Sequence, residues 1–151
     1  MTQLDSTSPH APALTIAVLL NSYRSPFIAQ IRQSYVRTIT AVSPGSRLTF
    51  FYPAEKSEFP DPEHFDLIVV GGSNVDPRKN HEWIKRVHQF VLRVTREHPG
   101  KKLCGICWGH QTISRIFGGE VIDMDYPEVS SLSGALRYWN AQEVDRRHSL
   151  G

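Results

Sequence analysis

The stretch that decides the fold is Lys102-Leu-Cys-Gly-Ile-Cys-Trp-Gly-His-Gln-Thr-Ile-Ser-Arg-Ile-Phe-Gly-Gly119. It predicts a strand, then a tight turn with Cys107 at its apex, then a helix that ends at the two glycines. The motif G-x-C-x-G within it is the thiol counterpart of G-x-S-x-G, a strained turn that exposes a nucleophile between a strand and a helix. Glycines on either side of the cysteine tolerate unusual dihedral angles and close packing.

The position of Cys107 suits a reactive thiol. The positive end of a helix dipole favours the thiolate, which is the nucleophilic form of cysteine. The N–H group of Trp108 is expected to point into the same space, where it can donate to an oxyanion. The stretch therefore predicts a nucleophilic cysteine, against the alternative that Cys107 is a small residue of the core.

The remaining segments alternate between strand and helix patterns. Short apolar runs bounded by turn residues predict strands, and apolar residues at three- and four-residue steps predict helices. We predict strands at 14–20, 47–52, 65–70 and 120–123, and helices at 26–41, 83–98 and, as a weak amphipathic pattern, 135–144. The polar, proline-bearing segment 53–62 is predicted to be a surface loop. Ser25 is expected to cap the first helix, with Pro26 as its first residue. Alternation of this kind indicates an α/β fold with a mainly parallel sheet and helices on its faces.

Composition limits the classes of function. The chain has 151 residues and a net charge of +2 at pH 7, which is too balanced to indicate nucleic acid or an anionic membrane as a partner. We expect a flexible tail at residues 1–13, one domain at 14–129 and a poorly patterned segment at 130–151. The beginning resembles no targeting segment, and two cysteines make no disulfide scaffold, so we expect a cytoplasmic protein.

Two motifs resemble a known family. Cys104-Gly-Ile-Cys-Trp-Gly-His-Gln111, followed by Phe117-Gly-Gly119, resembles the nucleophile motif of class I glutamine amidotransferases. Val69-Val-Gly-Gly-Ser73 is similar to the glycine turn of that family. The runs at 76–83 and 123–125 resemble stand-alone fungal amidotransferase-like proteins of secondary metabolism. The resemblance covers roughly residues 14–129.

The resemblance implies a flavodoxin-like three-layer fold and a set of site residues. Cys107 is implied as the nucleophile, and the backbone N–H groups of Gly72 and Trp108 as oxyanion donors. Gln111 and Ser73 are implied to bind the substrate, which would be glutamine or another γ-glutamyl small molecule. The released ammonia would serve a small-molecule pathway, with a synthase as a possible partner and no metal or cofactor.

One part of the family pattern is missing. The family completes its site with a downstream His-x-Glu pair, whereas the 44 residues after Cys107 contain no His-x-Glu and, beyond His110, only His148 (151 − 107 = 44). We therefore expect a member that is truncated or divergent at its C-terminal end, with the final strands of the fold missing.

Two other functions remain open. A family member without the His-x-Glu pair could act as a non-catalytic binding or partner domain. Cys104 and Cys107 also form a C-x-x-C pair, which is typical of thiol redox proteins. Cys104 is expected to lie in the strand facing the core, which argues against redox chemistry, and two cysteines alone are too few for a zinc site.

Overall fold

The computed structural model describes residues 13–123, of which residues 13–121 belong to one unit and Ile122 and Asp123 to a second unit, Ile122–Gly151. The strands and helices follow in chain order: β1 (Thr15–Leu19), α1 (Ile28–Val42), β2 (Arg47–Phe51), α2 (Pro53–Lys56), a 3-10 turn (Pro62–His64), β3 (Leu67–Val70), α3 (Glu82–Glu97), β4 (Lys102–Gly105) and α4 (Trp108–Ile116).

The four strands form one parallel sheet in the order β2-β1-β3-β4. Strand β1 lies at the centre, where Ala17 pairs with Thr49 of β2 on one side and with Ile68 of β3 on the other. Val70 of β3 in turn pairs with Gly105 of β4. Because all strands are parallel, the carboxyl ends of β1, β3 and β4 lie side by side at one edge of the sheet.

The two faces of the sheet are covered by different helices. Residues on one face pack with the apolar side of α1, and those on the other face pack with α3 and α4. The first cluster contains Ile16, Val18, Leu20 and Val69, with Ile28, Ile31, Tyr35 and Ile39 packed against it. The second contains Ala17, Leu19, Ile68, Val70, Trp83, Ile84, Val87, Phe90, Val91, Val94 and Trp108. The α/β class is confirmed, and the arrangement is the flavodoxin-like one that the resemblance implies.

Helix α3 confirms the periodicity of its sequence. All six apolar residues that predict its buried face are buried: Trp83, Ile84, Val87, Phe90, Val91 and Val94. The helix begins at Glu82 and ends at Glu97, one residue from the predicted bounds, and Pro99-Gly100 follows it. Helix α1 has no fully buried residue, because only one side of it touches the sheet.

Three local predictions are wrong. Helix α1 begins at Ile28 rather than at Pro26, because the Ser25 hydroxyl accepts the Phe27 N–H (3.2 Å) and closes a turn before the helix. Residues 120–123 form no strand, since no described strand pairs with them. The segment 53–62, predicted as a loop, contains α2 and the start of the 3-10 turn.

Cys104 is also placed differently from the prediction. It is exposed instead of facing the core, because β4 is the last strand of the described sheet and its side chain lies on the face opposite Leu103. The predicted boundary at residue 129, the predicted helix at 135–144 and most of the predicted tail lie outside the described residues. No helix in the described part is both long and apolar enough to span a membrane.

Candidate functional site

Cys107 stands between the end of β4 and the start of α4, as the sequence predicts. Its backbone has φ 52° and ψ −115°, an unusual conformation for a residue with a side chain. Such dihedral angles persist only where the surrounding structure enforces them, and they cluster at functional sites. The Cys107 side chain is exposed and forms no disulfide, so the thiol is accessible to a substrate.

The two glycines of the motif allow backbone to pack directly on backbone. A methyl group added at Gly109 would overlap the carbonyl oxygen of Val70, at the end of β3. One added at Gly105 would lie 2.6 Å from the amide nitrogen of His110 and 2.7 Å from the Gly109 carbonyl. No other residue fits at either position without moving the chain. The Cys107 turn is therefore held against β3 by contacts that only glycine permits.

The glycine turn after β3 adjoins Cys107. A methyl group on Gly72 would lie 3.8 Å from Cβ of Cys107, so the Gly72 backbone faces the thiol-bearing turn. The structure thus brings together Cys107, Gly72 and Trp108. Trp108 is the first residue of α4, and its N–H has no acceptor one turn back within the helix.

Two residues that sequence analysis missed hold the glycine turn. Asn21, fully buried at the end of β1, donates its side-chain N–H to the Gly71 carbonyl (3.1 Å) and to that of Leu19 (3.3 Å). The hydroxyl of Tyr35, on α1, accepts the N–H of Gly72 (3.2 Å). The Gly72 N–H, implied as an oxyanion donor, is therefore already engaged in this structure.

Tyr35 is electrostatically coupled to the cysteines. Burial raises the pKa of Tyr35, and negative charge at Cys107 or Cys104 adds to the increase. The hydrogen bond from Gly72 opposes it, and the net direction is upward. The Tyr35 hydroxyl is therefore neutral at pH 7 and can donate a hydrogen bond. In the sequence, Tyr35 appears only as one of the apolar positions of the first predicted helix. No sequence pattern indicates its contact with Gly72, which is 37 residues away.

The two residues that the resemblance implies as substrate-binding, Gln111 and Ser73, lie in different surroundings. Gln111 is exposed, one helical turn beyond Cys107, and its backbone N–H donates to the Cys107 carbonyl (3.1 Å). The Ser73 hydroxyl, half-buried, accepts the N–H of Val75 (3.2 Å) within its own loop. Arg115 donates a hydrogen bond to the carbonyl of Pro77, which connects α4 to the loop that follows the glycine turn.

The described residues contain no partner for Cys107 of the His-x-Glu kind. No histidine in residues 13–123 is hydrogen-bonded to its thiol, and His148 lies outside that range. The same part of the chain holds no group of three or more His, Cys, Asp or Glu side chains able to bind a metal ion.

Known proteins match most of the length of this chain. A glutamine amidotransferase-like protein, chyE of Penicillium rubens, is 31% identical over 121 residues, covering 79% of this chain and 51% of the relative. Another, chry6 of Gibberella zeae, is 26% identical over 130 residues, covering 82% of this chain and 52% of the relative. These relatives support a glutamine amidotransferase-like family for this chain. The chain spans about half the length of these relatives.

A peptidase also matches part of the chain. Gamma-glutamyl peptidase 3 of Arabidopsis thaliana is 34% identical over 67 residues, covering 42% of this chain and 26% of the relative. No family model matches the chain. The names of the glutamine amidotransferase-like relatives and of the peptidase support an amide-hydrolase family.

Proposed function

We propose that this chain hydrolyses the side-chain amide of glutamine, or of another γ-glutamyl small molecule, with Cys107 as nucleophile. The observation that carries the proposal is the Cys107 turn: an exposed thiol at positive φ, held by two glycines and adjoining the glycine turn. This geometry is that of a nucleophile elbow. The names of the amidotransferase-like and peptidase relatives support the class of substrate.

The chemistry has two steps. The Cys107 thiolate attacks the amide carbon, and a carbon–sulfur bond forms while the carbonyl oxygen becomes an oxyanion. The N–H of Trp108 and, on the other side, the N–H of Gly72 are the proposed donors to that oxyanion. The carbon–nitrogen bond then breaks, the nitrogen takes up a proton and leaves as ammonia, and water hydrolyses the thioester to release the acid and the thiol.

The surroundings of Cys107 support the other assigned roles. Gln111 lies exposed one turn along α4, within the reach of a ligand at the thiol, and Ser73 follows Gly72. We propose that both contact the substrate. We further propose that the ammonia passes to a synthase of a small-molecule, secondary-metabolite pathway in a reducing compartment such as the cytoplasm, where a thiol nucleophile stays reduced. We propose residues 14–129 as the domain that carries this activity.

A second candidate is a non-catalytic binding domain. The observation behind it is that no histidine of residues 13–123 is hydrogen-bonded to the Cys107 thiol, and a thiolate without such a partner lacks the group that protonates the leaving nitrogen. In that case the elbow would form and would react with electrophiles, but it would not release ammonia.

The deciding experiment combines labelling with turnover. Purified protein is treated with a chloroketone analogue of glutamine, the labelled mass is measured, and ammonia release from glutamine is assayed in parallel. We expect labelling at Cys107 and its loss in Cys107→Ala. The matched control is Cys104→Ala, since Cys104 is equally exposed three residues earlier and should be dispensable.

Each outcome separates the candidates. Labelling with turnover supports the hydrolase, and labelling without turnover supports the binding domain. A folded protein that shows neither overturns both. Reversible formation of a disulfide between Cys104 and Cys107, detected as a loss of two mass units, would favour the redox alternative, which the exposure of Cys104 leaves open.

A further inference from the structure

The hydroxyl of Tyr35 has a proton to donate beside the glycine turn. Its oxygen accepts the Gly72 N–H at 3.2 Å, and its own O–H is not used in that bond. Within residues 13–123 the structure records no acceptor for that proton. A hydroxyl that is oriented by one hydrogen bond and free to make another is suited to bind an oxygen atom of a ligand.

The hydroxyl lies at the site itself. A methyl group added at Gly71 would come within 2.7 Å of it, so it rests on both glycines of the turn. The second of these glycines, Gly72, faces Cβ of Cys107. The influence of charge at Cys107 and Cys104 on Tyr35 is a separate sign that the hydroxyl and the thiols share one region.

The ring of Tyr35 is fixed by the fold. It packs with Ile31 and Ile39 of α1 against the sheet, in the cluster formed by Ile16, Val18, Leu20 and Val69. The hydroxyl therefore reaches the glycine turn from a packed helix and not from a loop. A donor held in this way loses little freedom when a substrate binds.

We propose that the Tyr35 O–H, in place of the Gly72 N–H that it engages, donates directly to the carbonyl oxygen of the substrate as it becomes an oxyanion, together with the Trp108 N–H. This inference rests on the proposed function and adds a catalytic residue to it. In this arrangement the Gly72 N–H orients and polarises the hydroxyl, and the hydroxyl delivers the hydrogen bond to the substrate. An O–H oriented by an N–H is a stronger donor, because successive hydrogen bonds polarise one another.

The protonation of Tyr35 suits this role. Since burial raises its pKa, the side chain stays neutral at pH 7 and keeps the proton that it would donate. A neutral hydroxyl placed where negative charge develops stabilises the transition state more than the ground state. Tyr35 thus acts as a donor, not as the base that activates the thiol.

The test compares two reagents on Tyr35→Phe, which retains the ring and removes the hydroxyl. The glutamine chloroketone passes through an oxyanion at its carbonyl, whereas iodoacetamide is displaced at a saturated carbon and needs no oxyanion donor. We expect the chloroketone to label Cys107 of the variant about 100-fold more slowly at saturation, as for the loss of one oxyanion donor. Labelling by iodoacetamide should be unchanged.

Tyr52→Phe is the matched control. Tyr52 packs against the same apolar cluster from the end of β2, so its substitution reports any general effect of removing a tyrosine hydroxyl from this face. It should react with both reagents as the wild type does. The melting temperatures of both variants show that the fold is intact.

Other results would overturn the proposal in distinguishable ways. An unchanged or faster chloroketone reaction of Tyr35→Phe shows that the hydroxyl is dispensable, or that it blocks the Gly72 N–H. If both reagents label Tyr35→Phe more slowly and by the same factor, the hydroxyl helps to position Cys107 and does not stabilise the oxyanion. A wild-type protein that the chloroketone does not label defeats the proposed function itself, without any comparison with Tyr35→Phe.

Discussion

At the scale of single residues, the geometry of the site depends on two glycines, because a side chain at either position would collide with neighbouring backbone. Gly109 lets the first turn of α4 touch the carbonyl of Val70, and Gly105 lets β4 pass close to Gly109. These contacts leave Cys107 with little choice of backbone conformation, which explains its positive φ. The strain at the cysteine is thus maintained by close packing between neighbouring backbone segments.

The first prediction concerns Gly109. Gly109→Ala should lower the free energy of unfolding by at least about 3 kcal/mol, because the added methyl group overlaps backbone that cannot move aside. It should also abolish labelling of Cys107 in the fraction that still folds. Urea unfolding and intact-mass labelling measure the two effects.

Gly100→Ala is the control for this prediction. A methyl group at Gly100 has no neighbour within 4 Å, and the residue does not have positive φ, so stability should change by less than about 0.5 kcal/mol. If the two alanine variants were equally stable, the account of backbone contact at Gly109 would be refuted.

At the scale of elements, helix α3 supplies most of one apolar layer. Six of its apolar residues recur at helical spacing and are buried, whereas the polar side carries charged pairs such as Lys85–Glu82 (2.7 Å). The side chain of Trp83 stacks near Trp108, with ring centroids 5.2 Å apart, so this helix also supports the first turn of α4. Packing of α3 therefore contributes to the position of the Cys107 turn.

The second prediction tests this layer. Phe90 is 4% exposed and packs on Phe59, with ring centroids 5.0 Å apart, so Phe90→Ala should cost about 3–5 kcal/mol of stability through lost burial and a cavity. Leu92, on the same helix but 43% exposed, gives the control Leu92→Ala, which should cost less than about 1 kcal/mol. Denaturant melts followed by circular dichroism distinguish them; comparable losses would contradict the assigned faces.

At the scale of the whole unit, the strand order assembles the site. Strands β1, β3 and β4 are neighbours, so Asn21, Gly71 and Cys107 meet at their carboxyl ends, and α1 brings Tyr35 to the same place. Sites in open α/β sheets collect at this edge. The two helical layers must remain packed for this edge to keep its shape.

The third prediction is a pH dependence that reports this packing. Burial lowers the pKa of His88, on α3, below its ordinary 6.5, and the charge of Arg115 on α4 lowers it further. Below about pH 6.5, His88 binds a proton more readily in the unfolded chain than in the folded chain. The free energy of unfolding should therefore fall as the pH drops from 7.5 to 5.5.

His88→Gln is the variant that isolates this effect. It removes the titrating group, so its stability should decline less over the same interval, as measured by urea unfolding at each pH. The carboxyls with lowered pKa, Asp66 and Asp76, contribute in a more acidic window, since both already titrate below their ordinary value of 3.8. An identical pH slope in wild type and variant would exclude His88 as the source.

The sequence by itself determined the class of the fold and the place of Cys107 between a strand and a helix. Regular spacing of apolar residues marks which side of α3 is buried, and the G-x-C-x-G motif requires a strand, a turn and a helix in that order. Both are local properties, since the spacing and the allowed dihedral angles depend on residues adjacent in the chain. Helix starts were less certain, as at Pro26, because a single hydroxyl of Ser25 shifted the first turn.

Only the tertiary structure decided the surroundings of Cys107. The bond between Tyr35 and Gly72, the clamp of Asn21 on Gly71 and the exposure of Cys104 join or separate residues that are far apart in the chain. Each depends on the strand order and on which layer covers which face. A strand pattern read from the sequence cannot tell an edge strand from a central one, because the alternation of side chains is the same in both. The surroundings of the thiol therefore depend on the fold as a whole.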